Sequence, residues 1–243
     1  MVNAALVAAY AIILARATRA LRGNVVGIAR AGANGDSRRA TRRALVRDIG
    51  ATLRAPGPVL LTLCFLTYTG NFIAVMGFLP TFLIEDRGVD PVVAATITAF
   101  AVASNAIGNL AAGWLLRRGA SPPLLIAIAC IAMAVSALGI YSLDLPNGVR
   151  FVLCFTFSTV GGLLPATILG ATADLAPRRD LIGTTNGLLM QGSNLGQMAG
   201  PPIAAAIVAS TGTWAAAPIY VVVAASLGVG LAILIGRLKR VAG

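Results

Sequence analysis

The sequence predicts an all-α membrane protein, a six-helix bundle made of two inverted three-helix repeats, preceded by a partial helix and an Arg-rich loop. Three observations predict it. Of 243 residues, 58% are hydrophobic and 11% charged, with a mean hydropathy of +0.86, where a soluble domain carries about 45–50% apolar and about 25% charged residues. The apolar residues fall into runs long enough to cross a bilayer core, which takes ~20 helical residues. The polar residues left inside those runs recur in an order that repeats once along the chain.

The runs are Pro58–Ile84, Val92–Leu116, Leu124–Leu143, Phe151–Ala173, Gly183–Ala209 and Ala215–Gly236. A shorter run, Val2–Ala15, precedes them and reads as a partial span, so the expectation is a domain order of residues 1–57 (partial helix and basic loop), 58–236 (bundle) and 237–243 (tail). Arg16, Arg19 and Arg22 follow the first run instead of leading it, a stop-transfer order and not a secretory signal. Basic residues then crowd into 16–57, near Arg117 and Arg118, near Arg178 and Arg179, and into the tail at Arg237, Lys239 and Arg240, whereas the alternate loops hold only Arg87 and Arg150. The positive-inside rule therefore places the Arg-rich segment and the C-terminus in the cytoplasm of a cell whose inner membrane the chain crosses repeatedly. Heavy Ala, Gly and Arg usage points to a GC-rich bacterial gene.

A net charge of +11 raises nucleic acid as a partner. The position of the charge excludes it: the Lys and Arg residues lie between the runs, with no aromatic residues interleaved as a stacking platform. Cys64, Cys130 and Cys154 sit singly in apolar runs of a chain without histidine, so they read as small core residues and neither a metal site nor a disulfide framework is expected. No cofactor is expected. No ionisable side chain falls inside a run, which removes a proton relay and leaves the hydroxyls and thiols without a base to activate them, so an enzyme is not expected. Within the Arg-rich segment Leu45, Ile49 and Leu53 recur every fourth residue among Arg38, Arg39, Arg42, Arg43 and Arg47. That pattern suits an amphipathic helix on anionic lipid and a solvated linker equally.

Polar groups in hydrocarbon must face protein or water, so their distribution reports which helices line something. The first run carries Thr67, Tyr68, Thr69 and Asn71, the second Ser104, Asn105 and Asn109, and the third no Thr, Asn or Gln. The order restarts with Thr156, Ser158 and Thr159, continues with Gln191, Ser193, Asn194 and Gln197, and ends on a run with only Tyr220 and Ser226. Short strings echo in parallel: Gly77-Phe78-Leu79-Pro80 with Gly162-Leu163-Leu164-Pro165, and Ser104-Asn105 and Gly108-Asn109 with Ser193-Asn194 and Gly196-Gln197. Two units with an odd number of spans must run in opposite senses, the inverted-repeat construction of many membrane proteins that carry solutes.

The stretch from Pro58 to Gly236 resembles helices seven to twelve of the major facilitator superfamily, with residues 1–16 like the end of helix six and the Arg-rich segment like the loop joining two halves. Gly108 and Gly113-Trp114-Leu115-Leu116-Arg117-Arg118-Gly119 resemble the family signature Gly-x-Leu-x-Asp-Arg-x-Gly, with Arg117 where the aspartate belongs and the glycine one place early. Asn186-Gly187, Gly192-Ser193-Asn194-Leu195-Gly196 and Gly200-Pro201-Pro202 look like helix eleven. The resemblance implies alternating access for a small organic solute, a lipid bilayer around the bundle, and a partner that is either the missing N-terminal half or a second copy. Outside this family, a seven-helix receptor or a non-transporting membrane subunit are the alternatives. A retinal protein is disfavoured because Lys239 lies beyond the last run.

In the family the first helix of each unit lines the path. The resemblance therefore implies substrate binding by Thr67, Tyr68 and Asn71, and by Thr156 and Thr159, followed by Asn105, Gln191 and Asn194; each taken singly is better explained as a hydrogen bond between helices. Gly192, Gly196 and Gly200 share one face at four-residue spacing and read as close helix packing. Pro80 and Pro165 are candidate hinges or static kinks, and Gly113, Arg117 and Arg118 complete the gating and packing set.

Overall fold

The computed structural model describes residues 35–242, and side chains over 43–238; the expected partial span Val2–Ala15 and the first part of the basic segment lie outside the described residues. Among the described residues the structure is helical, without strands. The chain divides into two units at Gly50 and Ala51, and each is taken by itself. In the first, the described residues belong to helix α1 (Gly35–Arg54), on which Leu45, Val46 and Ile49 are exposed.

The second unit is the bundle. It contains α2 (Pro56–Glu85), α3 (Pro91–Arg117), α4 (Pro122–Tyr141), α5 (Asn147–Gly161), α6 (Leu163–Leu175), α7 (Ile182–Thr211) and α8 (Pro218–Ala242). Boundaries follow local chemistry. Helices α2, α3, α4 and α8 open on proline, whose missing N–H costs nothing in a first turn. The Asp90 carboxylate accepts from the amides of Val92 and Val93 at 2.9 and 3.2 Å, capping α3. Gly119 follows α3 at φ 89° and Gly212 ends α7 at φ 69°, left-handed turns that stop a helix.

The six runs read from the sequence correspond to these helices within a few residues, with two differences. The run Phe151–Ala173 is two helices, α5 and α6, broken at Gly162. Pro165 has no N–H to give the Gly161 carbonyl, and the consecutive glycines Gly161 and Gly162 lower the cost of leaving the helix. Pro80, by contrast, sits inside an unbroken α2. The second difference is that, among the described residues, five segments are apolar enough over their length to qualify as spans by composition. Helix α7, at 30 residues as long as α2, is diluted by its Thr, Asn, Gln and Gly, which marks it as the helix with most to hide from lipid.

Packing has a two-fold pattern. Helix α2 lies against α7 and α8; the α5–α6 span lies against α3 and α4; α4 and α8 lie against each other. The first helix of each triplet thus packs on the second and third of the other, as an inverted pseudo-two-fold requires. The core runs along the axis of α2 through Leu61, Phe65, Leu79, Phe82 and Leu83, and meets Phe157 of α5 and Met133 of α4.

Candidate functional site

The two seams that carry the pseudo-symmetry are built on glycine. A Cβ placed on Gly192 would lie 2.5 Å from Thr62 Cγ2, and one on Gly200 would lie 2.6 Å from Gly70 Cα; at Gly196 it would meet the Leu66 carbonyl oxygen. On the other seam a Cβ at Gly108 would meet the Thr159 carbonyl and lie 2.9 Å from Gly162 Cα, and one at Gly162 would meet the Asn105 carbonyl. Backbone therefore rests on backbone in both, the close approach that drives helix association where no hydrophobic effect acts between spans. Thr69 ties the first seam by donating its hydroxyl to the Ser193 carbonyl at 2.9 Å.

From the second seam, Asn105 joins three helices. Its amide nitrogen donates to Tyr68 Oη of α2 at 3.1 Å and to the Ser158 carbonyl of α5 at 3.0 Å, while the Asn109 amide donates to Asn105 Oδ1 at 2.9 Å. Tyr68 is only 6% exposed and its ring belongs to a file of aromatics, Phe65, Tyr68, Phe72 and Phe157, with centroids 5.8–6.4 Å apart. Asn71, one turn on, is 4% exposed, and its Oδ1 is buried with no hydrogen-bond partner.

Of the residues singled out in the sequence, the structure brings Tyr68, Asn105 and the Thr159 backbone together. Thr67 is turned elsewhere: its hydroxyl donates to the Cys64 carbonyl at 2.9 Å and lies 3.9 Å from where a Cβ of Gly228 on α8 would be. Thr156 is half-buried and bonds the Val152 carbonyl of its own helix at 2.9 Å. Gln191 and Asn194 stand apart from all of these. Both are exposed, on the side of α7 away from the glycine seam, in a strip continued by Gly187, Met198 and Pro202. Pro201 and Pro202 withhold the amides that would pair with the Gln197 and Met198 carbonyls, adding acceptors to a helix already bearing exposed amides. Among the gating candidates, Gly113 has space beside it, with only Arg117 Nη1 at 3.6 Å from where a Cβ would lie, and the Arg118 guanidinium stacks 3.7 Å above the Trp114 ring.

One buried charge is not apparent from the sequence. The pattern of runs puts Arg150 in a loop, just ahead of Phe151; the structure places it in a helix. Helix α5 begins at Asn147, so Arg150 lies in its first turn and is 0% exposed. The Nη2 group donates to the Leu143 and Leu145 carbonyls at 3.0 and 3.2 Å, and the guanidinium lies 5.5 Å from the Phe82 ring centre. Arg87 reaches the same ring at 5.9 Å and pairs with Asp86 and Asp144, each at 3.3 Å. With Tyr141 and Trp214 beside Phe82, this end of the bundle is closed by an aromatic and guanidinium cluster. The available signal is that Arg87 and Arg150 are the sole basic residues of the alternate loops, each near an aspartate or an aromatic residue.

Comparison with known proteins gives the arrangement a lineage. The family model described as Major Facilitator Superfamily matches residues 1–190. A solved structure described as "Structural insights into substrate recognition in proton dependent oligopeptide transporters" is similar in fold, with a TM-score of 0.64 at 15% identity, covering 73% of this chain and 41% of its own. The chain thus spans less than half the length of the transporter it matches. Comparison with curated proteins returns no match. Several helices of spanning length and apolarity, together with the family match, make the chain a multi-pass membrane protein.

Proposed function

We propose, from the premise that the chain belongs to the Major Facilitator Superfamily, that its bundle is the C-terminal half of a secondary transporter that moves a small organic solute by alternating access. In this reading the bundle rocks against a second six-helix bundle, supplied by an N-terminal half or by another copy, in the inner membrane with the C-terminus cytoplasmic.

The observation that carries the reading is the exposed strip of α7. Amides facing acyl chains are expensive, yet Gln191 and Asn194 face outward from a helix whose opposite side is locked to α2. A wet path or a polar partner surface relieves that cost. Gln191 and Asn194 then contact solute directly, together with Thr156, which is half-exposed. The Tyr68–Asn105–Ser158 network stands behind them as the element that holds α2, α3 and α5 in register, with Asn71 Oδ1 as an acceptor for solute or water when the path opens. Gly161, Gly162 and Pro165 supply the flexing point of the α5–α6 span. Hydroxyls and amides without charge suit a neutral or weakly polar solute.

Water access tests the reading. With Cys64, Cys130 and Cys154 buried, an Asn194→Cys variant of the full chain in native membranes is expected to react with a membrane-impermeant maleimide. An Ile131→Cys variant, at an exposed apolar position in the middle of α4, is expected to resist it. Absence of labelling at position 194, from either side of the membrane, overturns the proposed path.

A further inference from the structure

Away from the α7 strip, at the end of the bundle that bears the α3–α4 turn, two cavities adjoin. One, of ≈ 680 Å³, is bounded by that turn from Leu116 to Pro123, by Asp174 of α6 and by Gly236 of α8, with Arg117 at its edge. The other, of ≈ 490 Å³, runs between α4 and α8 and has Arg237 at its edge. Ser121, Pro123 and Gly236 line both, so they form one recess.

The inner part of this recess has a distinct shape. Ala127 and Ala232 form its floor, with Ala232 buried, while Leu124 and Ile233 stand up on either side, 56% and 53% exposed. Small residues between branched ones leave a slot running along the spans and facing the hydrocarbon. At its mouth stand two exposed guanidinium groups, Arg117 and Arg237, whereas Arg118 is turned aside onto Trp114. An apolar slot opening in lipid fills with an acyl chain, and cations at its mouth lie at headgroup depth.

We propose that this recess binds one anionic phospholipid, with the phosphate held between Arg117 and Arg237 and one acyl chain laid over Ala127 and Ala232. Charge complementarity selects the anionic headgroup: two cations face one carboxylate, Asp174, so a negative lipid is favoured over a zwitterionic one. The slot selects a lipid over a free anion, since an inorganic phosphate uses only the mouth. The proposal is independent of the transport reading, because its readout is lipid retention.

The test is native mass spectrometry of the full chain in detergent doped with dioleoylphosphatidylglycerol or dioleoylphosphatidylcholine. One phosphatidylglycerol is expected to stay bound, in preference to phosphatidylcholine. Arg237→Gln, at an exposed position, is expected to weaken retention about fivefold, the worth of one basic residue at a membrane surface. Asp174→Asn is expected to strengthen it. Ala127→Leu keeps every charge and fills the slot, and is expected to reduce retention as well. Equal retention of phosphatidylcholine, displacement of the lipid by millimolar inorganic phosphate, or unchanged retention in the Ala127→Leu protein would each overturn the site, the last by reducing the attraction to diffuse surface charge.

Discussion

Asn105 holds three helices with one amide, and its removal leaves the Tyr68 hydroxyl and the Ser158 carbonyl without the partner they have now. Asn105→Ala is therefore expected to cost about 1 kcal/mol, within the range measured for hydrogen bonds between spans, read as a lower denaturation midpoint in detergent with an unchanged helical spectrum. Arg150→Met is expected to cost more, about 2 kcal/mol, because the methionine fills the volume but takes the guanidinium from the Leu145 carbonyl and leaves the Leu143 carbonyl with the Leu145 amide alone. At this scale the sequence is legible in kind more than in direction. It marks Tyr68, Asn71 and Asn105 as polar groups needing a partner, but a helix buried on most sides gives no period from which to tell a path from a neighbour. The exposed Gln191 and Asn194 and the buried Tyr68 read alike in one dimension. Arg150 escapes notice because charge at the edge of an apolar run ordinarily means a loop, and only the folded return of the Leu143–Leu145 turn supplies the carbonyls that make its burial tolerable.

At the scale of the helix, one extra residue separates like from like. Gly183 and Gly187 share the four-residue spacing of Gly192, Gly196 and Gly200, but the five-residue step from Gly187 to Gly192 turns them to a different face, where a Cβ would meet nothing within 4 Å. Gly187→Ala is accordingly expected to be neutral or to stabilise by up to about 1 kcal/mol, the helix preference of alanine. Gly196→Ala is expected to destabilise by about 1–3 kcal/mol, because the methyl must push a backbone carbonyl away; thermal unfolding of the two variants side by side checks the contrast. The break between α5 and α6 has a dynamic counterpart. Backbone amides around Gly162 are expected to exchange with deuterium faster than those one turn to either side, since local opening begins where helical bonding is already interrupted. Helix limits are largely readable, because proline at helix starts and glycine at helix ends act locally. The division at Gly162 is not, although Gly161, Gly162 and Pro165 stand out as weak points: the apolar run gives no sign of an interruption in a helix that stays buried on both sides of it.

Over the whole molecule, the alternation of polar, polar and apolar spans points to two units in opposite senses, and the packing agrees. The echoed strings fare unevenly. Gly108 and Gly196 occupy matching places in the two seams, as their echo implies. Their contacts, however, pair Thr159 with Leu66 and Gly162 with Thr69, an offset of 93 residues, which leaves Pro165 without Pro80 as its counterpart. The likeness of Gly77–Pro80 to Gly162–Pro165 is therefore one of composition and not of position, consistent with a broken span at one and a continuous helix at the other. Equivalence of the seams makes a measurable demand: Gly108→Leu and Gly196→Leu are expected to lose similar stability, and the double variant to lose their sum within about 0.5 kcal/mol, as separate interfaces do.

A further consequence follows from those glycine seams for how such a gene can change over time. Outward-facing hydrocarbons such as Leu110, Ile131 and Val135 can be exchanged for one another with little penalty, whereas codons 108, 162, 196 and 200 have nowhere to go, because every alternative amino acid is larger. In a saturation library sorted for surviving protein in the membrane, those four columns would stand empty amid freely drifting neighbours.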